Sequence, residues 1–85
     1  MRIYELKQKE VINIKDGNRI GYISDVEIDV EEGVISTIII PSGSKMFGVF
    51  GAEQEYHIPW EHVTQIGDDL VIIECDCGKM LKDVE

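Results

Sequence analysis

Apolar residues along the chain fall in short runs, each closed by residues that favour turns. Val11 to Ile14 reads as a first strand, after a lead-in at residues 4–8 that suits a single helical turn. Asp16-Gly17-Asn18 follows, and Asp-Gly is a strong hairpin signal because glycine tolerates the positive φ of a type I′ turn. Ile20 to Val30 reads as one long second strand. Its even positions (Ile20, Tyr22, Ser24, Val26, Ile28, Val30) alternate from Asp25 onward with acids, which predicts one buried and one acidic face. Gly21 marks a place for that strand to bend or to admit a close neighbour. Glu31-Glu32-Gly33 turns the chain into Val34 to Ile40, whose Ile38-Ile39-Ile40 run suits a strand covered on both faces. Pro41 stops it, since proline has no N–H for a ladder.

Residues 42–54 read as a long loop for so small a chain. Glu55 to Ile58, Val63 to Ile66 and Leu70 to Glu74 complete six expected strands. Pro59-Trp60-Glu61-His62 forms a helical corner between the first two of these, and Gly67-Asp68-Asp69 turns between the last two. Six short strands with tight turns predict an all-β fold, a small closed six-stranded barrel with one short helical corner. Closure removes the unpaired edge that would recruit other chains. Residues 1–78 make one domain in this reading, and 79–85 a polar, frayed tail.

With 85 residues the core is small, and stability is expected at about 5 kcal/mol. A homodimer or higher oligomer would hide further apolar area and stands as an expectation beside the monomer. The net charge of −9, from 17 acids against 8 bases, changes the list of partners. Such a surface repels phosphate backbones and anionic lipid, so direct nucleic-acid binding and membrane insertion are not expected. Nor does any apolar run approach the ~18 residues of a spanning helix. A cytoplasmic location is the expectation.

Candidate chemistry is sparse: no nucleophile–base frame, phosphate loop or cofactor motif is evident, and no cofactor or catalytic residue is expected. Met46, Phe47, Val49 and Phe50, set among glycines, form the first candidate contact site, an apolar loop tip that either meets a partner or plugs the barrel. Asp25, Glu27 and Asp29 form the second, an acidic wall that would steer a basic protein. They stand ~7 Å apart along the strand, too far to cage a calcium ion alone. Cys75 and Cys77 are either ordinary strand-end cysteines or a candidate metal pair, the latter if Asp76 sits in a turn that lets both thiolates reach one soft ion. A structural zinc needs four ligands, so His57 and His62 or a second chain would have to supply the others. Trp60 is expected to cover one end of the core.

The strings KEVINIKDGNRIGYISDVEID and IPWEHVTQIGDDLVII, in this order and spacing, resemble the PRC-barrel domain family. KMFGVFGAEQEYHIPW is similar, more narrowly, to the stand-alone YlmC/YmxH-type sporulation proteins. The resemblance implies a six-stranded barrel that docks on other proteins, and it brings no catalytic residues with it. A non-enzymatic protein–protein adaptor, possibly tied to sporulation, is therefore the favoured expectation. A small metal-binding module using Cys75 and Cys77 is the alternative. A ribosome-linked RNA-maturation factor working through a basic protein is a further one.

Overall fold

The computed structural model describes residues 1–42 and 53–84, with the side chains of Glu53 and Val84 left aside. A short helix α1 (Ile3–Leu6) precedes β1 (Glu10–Asn13), β2 (Arg19–Tyr22), β3 (Asp25–Asp29) and β4 (Val34–Pro41). Then come β5 (Glu53–Pro59), a 3₁₀ turn at Trp60–His62, β6 (Val63–Ile66) and β7 (Leu70–Ile73). A second 3₁₀ turn at Cys77–Met80 leads into β8 (Leu81–Val84).

The strands form two four-stranded sheets, ordered β2-β1-β7-β6 and β3-β4-β5-β8. All pairings are antiparallel except β1 with β7, which run parallel from Glu10↔Leu70 to Asn13↔Ile73. The all-β expectation holds, but among the described residues eight strands replace the expected six, and no ladder closes the two sheets into one barrel. Two local events account for the count.

The first is a break in the expected Ile20–Val30 strand. Gly21 has φ +133°, a conformation L side chains rarely adopt, and Ile40 Cγ2 lies 3.2 Å from where a Cβ would stand. The chain bends there, buries Ile23 and leaves Ser24 exposed, so the alternation fails. It leaves the first sheet as β2 and enters the second as β3, a corner of the kind by which one chain serves two packed sheets. The second event is at the end. Leu81–Val84, in the stretch expected to fray, pairs with β5 from Tyr56↔Leu81 to Glu53↔Val84.

The core lies between the sheets. Val11, Ile38, Ile40, Ile58, Val71 and Ile73 are fully enclosed, with Leu6 from α1 and Ile23 from the corner beside them. Ile39 is buried too, so the triple-isoleucine run of β4 is covered on both faces as its composition predicts. Pro59 opens the corner at Trp60–His62. Trp60 is half-buried against the core and lines a small apolar hollow with Leu6, Ile35 and Ile66.

Candidate docking surface and the cysteine turn

Asp25, Glu27 and Asp29 stand exposed on β3, which is an edge strand of its sheet among the described residues. No lysine or arginine among those residues forms an ion pair with them. Their tasks differ. The Asp25 carboxylate accepts the backbone N–H of Val26 at 2.8 Å. Asp29 Oδ1 accepts from Glu31 N at 3.0 Å and Glu32 N at 3.2 Å, while its carbonyl accepts from Gly33 N. Asp29 thus builds the turn after β3, in which Gly33 supplies φ +72°. Glu27, equally exposed, makes no such local bond among the described residues.

The face opposite these acids departs from expectation. The ladder shifts between Glu27↔Thr37 and Ile28↔Ile35, so Ser36 is an extra residue on β4, and its hydroxyl donates to the Glu27 carbonyl at 3.3 Å. Beyond this bulge Ile35 of β4 still meets the core, but the β3 side and the tip of the hairpin outrun it. Val26 still packs on it, but Ile28 is 54% and Val30 88% exposed, and Val34 across the turn is 53% exposed. The sequence reading places Ile28 and Val30 on a buried face; the core ends before reaching them. Apolar side chains and unpaired acids therefore share one hairpin. Met46, Phe47, Val49 and Phe50 lie outside the described residues.

Cys75 and Cys77 continue the inward side of β7, after Val71 and Ile73, since residues two apart on an extended chain share a face. Asp76, at φ −83° and ψ 86°, bends the chain between them, and their sulfurs lie 3.1 Å apart, both buried. Asn13 of β1 holds this bend. Its Nδ2 donates to the Cys75 carbonyl at 2.9 Å and to Cys77 Sγ at 3.2 Å. Its Oδ1 accepts from Cys75 N at 3.3 Å and Lys15 N at 3.2 Å. Asn13 is the buried polar residue of the described core, and sequence reasoning passes over it because it sits inside the apolar run Val11–Ile14. Ile14 is the member of that run turned to solvent.

Above the bend, Lys15 Nζ donates to Asp76 Oδ1 at 2.6 Å. The bond and the opposite charge raise the lysine pKa and lower that of the carboxyl. Burial, then the neighbouring Cys75, pushes the Cys77 thiol up to about 12. As a metal pair the two sulfurs converge as a turn requires, but among the described residues no third His, Cys, Asp or Glu joins them. His57 Nε2 donates to the Glu55 carboxylate at 3.0 Å, and His62 Nδ1 to the Glu74 carbonyl at 3.1 Å. Both imidazoles are engaged locally. No helix among the described residues is long and apolar enough to cross a membrane.

Comparison with known proteins agrees with this architecture. The family model described as PRC-barrel domain matches residues 1–76. The "Probable sporulation protein YlmC" of Bacillus subtilis (strain 168) is 38% identical over 71 residues, covering 84% of this chain and 88% of its own. The "Uncharacterized protein YmxH" of the same organism is 36% identical over 76 residues, covering 87% and 88%. An uncharacterised protein of Clostridium acetobutylicum is 38% identical over 74 residues, covering 87% and 84%. With a family match over most of its length, and relatives of its own size identical at more than a third of the aligned positions, the chain belongs to the PRC-barrel domain family, in its YlmC/YmxH-type branch.

Proposed function

We propose that the protein is a non-enzymatic adaptor whose β3 edge receives a basic, extended segment of another protein. The carrying observation is the β3–β4 hairpin, which exposes the acids Asp25 and Glu27 on one face of β3 and Ile28 and Val30 on the other, with Val34 exposed across the turn. An edge strand offers unpaired backbone N–H and C=O groups to an incoming strand, and the acids select its charge. Two copies of this edge laid together would set acid against acid, which favours a different chain as the partner. The YlmC relative supports a role connected with sporulation. A basic ribosomal protein would satisfy the same chemistry.

The test compares capture from sporulating cells by the wild-type protein and by an Asp25→Lys/Glu27→Lys variant, over a salt series. The expected partner is basic, is released by salt and is lost on the variant. Equal retention by both proteins, independent of salt, overturns the reading.

A further inference from the structure

The cysteine bend has a chemistry that docking does not use. The chain contains two cysteines, and they face each other with sulfurs 3.1 Å apart. A disulfide bond is ~2.05 Å long, so about 1 Å of approach separates the thiols from a bond. Asn13 already fixes both ends of the bend, through the N–H and carbonyl of Cys75 and the sulfur of Cys77. A metal would need ligands that the described residues do not bring here, whereas a disulfide needs only these two.

The two thiols are not equivalent. Cys75 lines both surface clefts that flank the bend, one with His62, Thr64 and Met80, the other with Asp16 and Gly78. Cys77 lines only the second. Both are less than a tenth exposed, which admits a small oxidant and resists a bulky one.

We propose that Cys75 and Cys77 are a redox modification site, which a small peroxide converts to a reversible intrachain disulfide. In the first step the Cys75 sulfur attacks one oxygen of hydrogen peroxide. The O–O bond breaks, an S–O bond forms, the thiol proton leaves with the departing hydroxide as water, and Cys75 becomes a sulfenic acid. In the second step the Cys77 sulfur attacks that of Cys75. The S–O bond breaks, the S–S bond forms, and the Cys77 proton leaves with the hydroxide as a second water. Two thiols are oxidised by two electrons and one peroxide is reduced. A dithiol reductant reverses the change by exchange.

The experiment treats reduced, purified protein with hydrogen peroxide and reads intact mass, thiols titrated after denaturation, and a non-reducing gel. The expected wild-type product is a monomer lighter by two hydrogens, its titratable thiols falling from two to none and returning to two with dithiothreitol. In the presence of dimedone, Cys77→Ser is expected to accumulate the sulfenic-acid adduct at Cys75, and wild type to show little. Two thiols still titratable in the wild type, a disulfide-linked dimer, or a stable oxygen adduct on wild-type protein would each overturn the proposal. The wild-type arm decides it even if a serine variant fails to fold.

Discussion

The Cγ2 of Ile40 lies 3.2 Å from the point where a Cβ on Gly21 would stand, so a side chain on β2 here would press on β4 more tightly than most Cβ contacts do. Ile40 is fully buried and cannot swing into solvent. Gly21→Ala therefore meets a contact and a φ of +133° together. The expected loss is about 2–4 kcal/mol, read as a lower urea midpoint at unchanged slope. An alanine variant as stable as wild type would show that the corner is not held there.

Asn13→Ala removes the partner of the Cys75 N–H and carbonyl and of the Lys15 N–H, inside a closed core. Unpaired buried groups are costly, and a loss of about 3 kcal/mol is expected. Amide exchange should quicken at Cys75 before it does so at Val71, which rests on the strand ladder and not on the side chain.

The three acids of β3 should separate under alanine substitution. Asp29→Ala loses the acceptor of two backbone N–H groups in its turn, and about 1 kcal/mol with it. Glu27→Ala removes an exposed carboxylate with no bond of its own and should stay within about 0.5 kcal/mol of wild type. Thermal midpoints of the two variants, measured side by side, check the ranking.

Two groups beside the bend give stability a pH dependence of known sign. Asp76 has a lowered folded pKa, so its contribution is present above the ordinary 3.8 and disappears as pH falls through the folded value. The urea midpoints of wild type and Asp76→Asn should differ at pH 7 and converge in strong acid. Cys77 has a folded pKa raised from 9.0 to about 12, so the folded chain keeps a proton that the unfolded chain releases. Its contribution is whole below pH 9 and declines as pH climbs toward 12; Cys77→Ala should flatten that alkaline slope.

Much of the fold was legible wherever local rules had no competitor. Val63–Ile66 and the corner at Trp60 fall where apolar runs, Pro59 and the turn residues put them. The triple isoleucine of β4 announces burial on both faces by composition alone. The convergence of Cys75 and Cys77 depends on the turn at Asp76, which the sequence offers only as a condition for their meeting and which the structure supplies. What stayed hidden depends on distant neighbours. Alternation from Asp25 to Val30 predicts a buried face, but whether a core reaches that far is a matter of sheet length, and it ends near Val26. Leu81 to Val84 looks polar enough to fray, yet β5 offers it an edge that no local signal reveals. Asn13 has the same origin: nothing local marks a polar residue among apolar ones as buried, because its partners come from a bend some sixty residues later.

The parallel ladder between β1 and β7 sets an order on the birth of the molecule. During synthesis β1 meets β2 within moments, but it waits until Leu70 to Ile73 have left the ribosome before its other side is covered. Until then Val11 has no opposing Val71, and the nascent protein carries an open flank that chaperones, or a neighbouring copy, can find first.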